Sequence, residues 1–186
     1  MKVSRDQMQA NRRRILDAAG ERFRERGFEA VSVSEVMKAA GLTHGGFYGH
    51  FSSKDDLIAE TLSHLADQSL QRRPASLDAY VDDYLSSQHR DNLGRGCATA
   101  ALASDARRQS GEGRTVMSDA VASQIARFTD ALSTHDGAED ARREAIGTWS
   151  AMVGALILAR SVEDEALSDE ILTSTKDWIR QGRSQG

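Results

Sequence analysis

Residues 32–54 read SVSEVMKAAGLTHGGFYGHFSSK, and this stretch decides the fold. Ser32-Val33-Ser34-Glu35 forms a capping box: the Ser32 hydroxyl can accept from the Glu35 amide while the Glu35 carboxylate reaches back to the Ser32 amide. A helix follows, carrying Val33, Val36, Met37 and Ala40 as its apolar positions. Gly41 ends it, because glycine takes the left-handed conformation of a helix stop at no steric cost, and Leu42 can then fold back on Met37. Thr43 opens a short third helix, His44 to Gly49. Ser53 caps a fourth, with Asp55 and Asp56 suiting the positive end of its dipole. Helices joined in this way by a sharp glycine-containing turn make a helix-turn-helix, here spanning 32–51.

Upstream, a helix is expected from Met8 to Arg26, with Ile15, Leu16, Ala19 and Phe23 at amphipathic spacing. Gly27 stops it, with Phe28 returning onto Phe23 as in a Schellman cap. Downstream, helices are expected at 76–90, 98–109, 115–133, 138–161 and 165–181. Breaks fall at Arg72-Arg73-Pro74, Asn92 to Gly96, Gly111-Glu112-Gly113 and Thr134 to Gly137. No period-two apolar run marks a strand, and there is one proline, so the chain reads as all-α with about nine helices. The expected division is a helix-turn-helix unit over 1–68 and a C-terminal helical unit over 69–186.

The third helix is too polar and too glycine-rich for a core segment. Gly45, Gly46 and Gly49 each cost roughly 1 kcal/mol in helix propensity against alanine. That cost is explained if the backbone must come close to a partner. Phe47 and Phe51 can anchor the inner side to Leu16, Phe23 and Val36. Thr43, Tyr48 and Lys54 have the chemistry of phosphate contacts, and His44 can donate to a phosphate or a base. His50, beside Phe51, reads better as a packed histidine.

The net charge of −4 argues against nucleic acid until its distribution is considered. Residues 1–60 hold ten basic against nine acidic side chains, whereas the remainder holds fourteen against nineteen. The early Lys2, Arg5, Arg12, Arg13 and Arg14 suit either a solvated tail or a phosphate-seeking arm. One cysteine excludes an internal disulfide framework and fits the cytoplasm. No apolar run spans a membrane.

Ile15 to Ala19, Phe23, Gly27-Phe28, Ser32-Val33, Val36, Ala40 to Thr43, Phe47-Tyr48, His50-Phe51 and Ser53 to Leu57 together resemble the N-terminal pattern of the TetR family of bacterial regulators. The resemblance covers residues 11–58. It implies a homodimeric repressor that holds a palindromic double-stranded DNA operator and leaves it when an effector enters the C-terminal domain. Carried over by position, the DNA contacts are Ser32, Thr43, His44, Gly45, Gly46, Tyr48 and Lys54. Gly46 departs from the small hydroxylated or methylated residue usual there, which points towards shape readout. The resemblance also implies dimerisation through the last two helices, at Gly147, Ala151, Gly154, Ala155, Leu158, Ile171 and Trp178, with Leu172 and Ile179 beside them. The effector is an unknown small molecule, and its expected walls are Cys97, Leu102, Met117, Val121, Phe128, Trp149 and Met152.

Cys97 sits at a helix start next to Arg95, a place that favours a reactive thiolate. It reads either as a sensor of electrophiles or oxidants or as a small buried hydrophobe. The chain has no glycine-rich phosphate loop and no nucleophile pair, and His44, His50, His64, His89 and His135 lack metal-ligand spacing, so no enzyme, metal or cofactor is implied. An activator, or a helical interaction module with weakened DNA binding, stays open beside the repressor.

Overall fold

A helix begins where a side chain can satisfy its first amides, and Ser4 does this by accepting from the Gln7 amide at 3.1 Å. In the computed structural model, which describes residues 4–72, 74–109, 111–132 and 138–184, α1 therefore runs Arg5–Arg26, starting earlier than the expected Met8. Then come α2 (Val33–Ala39), a 3-10 segment (His44–Gly49) and α3 (Lys54–Gln71). The remainder comprises α4 (Leu77–Tyr84), α5 (Ser87–Asp91), a 3-10 turn (Leu93–Arg95), α6 (Ala98–Ala106), α7 (Glu112–Leu132), α8 (Ala138–Ser161) and α9 (Glu165–Ser184). The described residues contain no strand.

Three expectations need correction. The 76–90 helix is two, because Leu85 leaves helical geometry (φ −93, ψ 51) and Ser86 caps α5 through the His89 amide. The 98–109 helix stops at Ala106. Of the expected break at 111–113 only Gly111, with φ +74, lies outside a helix, so α7 starts at Glu112 and Gly113 lies inside it. The expected break over 134–137 lies outside the described residues.

The two early glycine stops differ. At Gly41 (φ +68) the Leu42 amide donates to Met37 and the Gly41 amide to Lys38, the paired bonds of a Schellman motif. At Gly27 (φ 77, ψ 171) a single bond to Phe23 closes the helix, and a turn over 27–30 follows. Phe28 does return onto Phe23, edge to face at 5.3 Å.

Two apolar clusters hold the fold. The first joins Ile15, Phe23, Phe28, Val36, Phe47 and Phe51 with Leu57 and Leu62 of α3, and takes in Leu102, Ala106 and Met117 from α6 and α7. The second centres on Tyr84, Phe128, Trp149, Met152 and Leu156, with Leu172 and Ile179 of α9. Because the first cluster crosses from the N-terminal helices into α6 and α7, the two parts share a core. Polar ties reinforce the join: Asp105 accepts from the Phe28 amide at 3.1 Å, and the Arg24 guanidinium donates to the Gly94 carbonyl.

Candidate DNA-contact surface and central cleft

The helix-turn-helix is set from below by its capping box. Glu35 accepts from the Ser32 amide and hydroxyl, both at 2.9 Å, while the Ser32 hydroxyl accepts from the Glu35 amide at 3.2 Å. These bonds from Ser32, with Arg26 at 2.6 Å, hold the Glu35 carboxyl at a pKa of about 2. The Ser32 hydroxyl proton is spent within the box, so Ser32 shapes the surface and has none left to donate to a phosphate.

The third helix is a 3-10 segment. The Gly46 amide donates to Thr43 and the His50 amide to Phe47, each three residues back. Three glycines in six residues leave little to favour the α-form, and the tighter coil places Gly45 and Tyr48 in one row. Phe47 and Phe51 are buried and stack on one another at 5.7 Å between ring centres. Tyr48, by contrast, is 73 % exposed. Thr43 stands at the N-cap position, but its hydroxyl makes no capping bond. Thr43, His44, Gly45 and Gly46 are all exposed, and Lys54 is half-buried at the first turn of α3.

The glycines are not required by the fold. A Cβ at Gly45 would meet nothing within 4 Å, and one at Gly46 would meet only Met37 Cε at 3.7 Å and Thr43 Oγ1 at 4.0 Å. Neither has a positive φ. Their bareness therefore has no explanation inside the chain.

The early arginines divide. Arg12 donates to the His50 carbonyl, lies over the Phe51 ring at 4.4 Å and pairs with Glu60 at 2.8 Å. Arg14 donates to the Ala40 carbonyl at the end of α2. These two brace the helix-turn-helix from α1, a role outside both the tail and the phosphate readings. Arg5 and Arg13 remain exposed. Partial burial, and then Arg12, push the His50 pKa below its ordinary value, in keeping with a packed histidine.

A cleft of about 1170 Å³ runs from α1 and α3 to α4, the 93–97 turn and α6. Of the expected walls, Cys97, Met117 and Trp149 line it. Leu102, Phe128 and Met152 do not, because they are fully packed in the two cores, and Val121 packs against the first cluster. Sequence reading missed Arg24, Tyr80, Tyr84 and His89 on the wall. The i, i+4 pair of tyrosines on α4 was the one signal of it in the sequence. Their rings lie 6.0 Å apart, with Trp149 edge-on to Tyr84 at 5.5 Å.

Cys97 is half-buried at the start of α6, its sulfur accepting weakly from the Ala100 amide at 3.5 Å. Its amide donates to His89 Nε2 at 2.9 Å, while His89 Nδ1 lies 2.7 Å from the Tyr84 carbonyl. The ring must therefore carry its proton on Nδ1 and stay neutral, and burial accordingly lowers its pKa. Arg95 is exposed; the arginines within electrostatic reach of the thiol are Arg24 and Arg160.

On the outer side of α8 and α9, large apolar groups face solvent: Ile146, Ile157, Leu158 (57 %), Leu167 and Trp178 (62 %). Positions 147 and 154 open on empty space, while Ala151 and Ile171 are half-buried. Ala155, Leu172 and Ile179 point the other way and belong to the second core, correcting their expected place at an interface. Among the described residues no helix is long and apolar enough to cross a membrane, and no group of metal-ligating side chains gathers.

The sequence profile of the bacterial regulatory proteins of the tetR family matches residues 15–61. The HTH-type transcriptional regulator AcrR of Shigella flexneri is 40 % identical over 57 residues, 31 % of this chain and 26 % of that one. An HTH-type transcriptional repressor of Mycobacterium tuberculosis is 41 % identical over 57 residues, 31 % of this chain and 30 % of its own length. The chain thus spans under a third of these curated relatives. Solved structures extend the likeness in fold. A TetR-family regulator from Agrobacterium tumefaciens superposes with a TM-score of 0.74 at 20 % identity, covering 92 % of this chain and 98 % of that one. The reduced form of E. coli NemR gives 0.70 at 20 % identity, covering 92 % and 96 %.

Proposed function

The chain belongs to the TetR family of bacterial transcriptional regulators, and from that premise we propose that it is a homodimeric repressor of a palindromic operator, released by a small molecule bound in the central cleft. The observation that carries the DNA reading is the bare 3-10 surface. Gly45 and Gly46 lack side chains that the fold has room for, and around them stand an uncommitted Thr43 hydroxyl, an exposed Tyr48 phenol and Lys54. Donors to phosphate ring a patch where backbone can approach base edges. His44, Gly45 and Gly46 face the bases; Thr43, Tyr48 and Lys54 hold the phosphates.

Dimerisation through α8 and α9 is supported by the apolar outer face running from Ile146 and Gly147 through Gly154 to Leu158, with Trp178 beside it. A patch of this kind signals a partner surface. A two-fold partner also doubles a reading surface that is too short to specify a site alone. We place the division of labour near residue 68, inside α3, which belongs to the first core and leads directly to the cleft.

A second reading concerns release. Cys97 lines the same cleft at a helix start near Arg24 and Arg160, and a fold neighbour is described in a reduced form. An electrophilic alkene entering the cleft would be attacked by the Cys97 sulfur: the S–C bond forms, the alkene π bond breaks, and the thiol proton reaches the adjacent carbon through water. Operator binding before and after treatment with a quinone or an enone, with Cys97→Ser alongside, tests this. Loss of binding in the native chain alone supports it, and an equal response in both proteins refutes it. The repressor reading is tested by selecting DNA sequences on the purified chain. A palindrome whose affinity falls steeply with salt is expected, and salt-insensitive or absent binding contradicts it.

A further inference from the structure

The side of the cleft between α4, the 93–97 turn and α6 carries an unusual set of hydrogen-bond donors. Tyr84 is 5 % exposed and lines the cleft, yet its Oη has no hydrogen-bond partner among the described residues. The polar neighbour of the phenol is the Cys97 thiol, and a thiol is a weak hydrogen-bond partner. Tyr80, one turn earlier, accepts at its hydroxyl oxygen from Gln124 Nε2 at 2.9 Å, so of the pair only the Tyr84 hydroxyl makes no hydrogen bond among the described residues. A buried hydroxyl without a partner is costly and marks a place where something else supplies the acceptor.

A second donor lies near it. Arg24 reaches the same cleft from α1 and donates from Nε to the Gly94 carbonyl at 2.7 Å, and from Nη2 to the same oxygen. Among the described residues it has no carboxylate within ion-pair distance; burial and then Arg72 push its pKa below the ordinary value, opposed by the more distant Glu21 and Asp17. Arg24 is held at the Gly94 carbonyl, and Tyr84 packs on the His89 ring at 4.6 Å, whose Nε2 accepts from the Cys97 amide, so both donors lie against the 93–97 turn. The amides of Ala98 and Thr99 open α6 beside it, and only the Ala100 amide is capped, weakly, by the Cys97 sulfur. His89 cannot supply an acceptor, since both its ring nitrogens are engaged. The carboxylates on the wall are Asp17, Glu21 and Asp83, against Arg14, Arg24, Arg72 and Arg95, and Asp17 is already taken by His64 at 2.7 Å and Gln68 at 3.0 Å. The aromatic part of the wall is Tyr80, Tyr84 and Trp149.

We propose that this part of the cleft receives a small aromatic carboxylate, its ring packed among Tyr80, Tyr84 and Trp149 and its anion taken by the Tyr84 hydroxyl, the Arg24 guanidinium and the start of α6. The inference deepens the reading of the chain as a ligand-released regulator and rests on it. It also supplies the route of release. Arg24 belongs to α1, which braces the helix-turn-helix, and its bonds to Gly94 tie α1 to the cleft wall. An anion that recruits Arg24 competes with the Gly94 carbonyl, and a charged acceptor outcompetes a neutral one. The tie between the DNA-contact unit and the wall then loosens.

Titration calorimetry on the full chain tests this with benzoate and 1-naphthoate against benzamide and 1-naphthamide, which keep the rings and remove the charge. Each acid is expected to bind at least about tenfold more tightly than its amide, as befits charge-assisted hydrogen bonds. Tyr84→Phe keeps the aromatic wall and removes only the unpartnered hydroxyl. It should weaken acid binding about fivefold or more while leaving thermal stability equal or higher. Arg24→Gln should weaken it further. Acid and amide binding equally, or neither binding up to about 10 mM, overturns the proposal, as does a Tyr84→Phe chain with unchanged acid affinity. Operator binding measured on the same preparation separates the two readings. A chain that binds DNA but no acid keeps the regulator and loses this site. A chain that binds acids but no DNA keeps the site and loses the regulator.

Discussion

Gly45→Ala separates what the fold needs from what a DNA partner needs. The structure gives the added methyl open space, with no atom of the chain within 4 Å and a backbone conformation that alanine adopts freely. Replacing glycine at such a position stabilises by about 0.4–1 kcal/mol, chiefly by removing freedom from the unfolded chain. For a chain of this size that is a rise in Tm of about 1–4 °C. The same methyl stands in the row with the exposed Tyr48, on the surface assigned to base edges. There it would hold the 3-10 segment away from the groove and disrupt the close fit along it. A loss of at least about tenfold in operator affinity, about 1.4 kcal/mol, is expected. The assay pairs differential scanning calorimetry with fluorescence anisotropy on labelled operator. Gly182→Ala serves as the control, because position 182 on α9 is equally open and distant in sequence from the surface. It should raise Tm and leave affinity alone. If Gly45→Ala raises Tm and leaves operator affinity at the native value, close backbone approach is the wrong account of these glycines.

Ser32→Ala removes the cap of α2 and should cost about 1 kcal/mol in chemical denaturation, weakening DNA binding only as far as α2 frays. The capping box also predicts acid sensitivity. Glu35 is depressed from 4.5 to about 2, so its contribution is fully present above pH 4.5 and is lost as pH falls towards 2, a trend that Glu35→Gln should flatten. His89 adds a dependence at higher pH: its folded pKa lies below the ordinary 6.5, so the unfolded chain binds the extra proton and stability declines as pH drops below 6.5, less so in His89→Gln. Trp178→Glu places a charge on the outer face of α9 where the monomer tolerates it. Sedimentation should show monomers with near-native helicity, and an unchanged dimer would remove α9 from the interface. Phe47→Ala leaves a void in the first core and should destabilise by about 3–5 kcal/mol, a loss readable in urea.

Much of the N-terminal architecture was legible because each helix end is written in local chemistry. The Ser32–Glu35 box, the Gly41 stop and the Ser53 cap need only their neighbours, and each is in place. The 3-10 form of 44–49 was less legible, since three glycines report low helix propensity without saying which alternative results. Arg12 and Arg14 were misread because their partners, the carbonyls of His50 and Ala40, lie 38 and 26 residues away. The cleft was hardest. Apolar residues at helical spacing cannot declare whether they face a cavity or a core, so Leu102, Phe128 and Met152 were assigned to the wrong place, while Arg24, read only as part of α1, reaches the wall through the fold. On α8 the interleaving of small and large residues does not declare which face is outward, and Ala155 falls on the inner side.

The central claim is that the surface around Gly45 binds operator DNA, with Thr43, Tyr48 and Lys54 holding its phosphates. Its most direct test is the salt dependence of operator affinity for the native chain and for Lys54→Ala. The account predicts a steep linear fall of log affinity with log salt, and a slope shallower by about 1 in the variant, where alanine can no longer neutralise the phosphate that Lys54 holds. Native and variant chains with the same affinity and the same slope would contradict it.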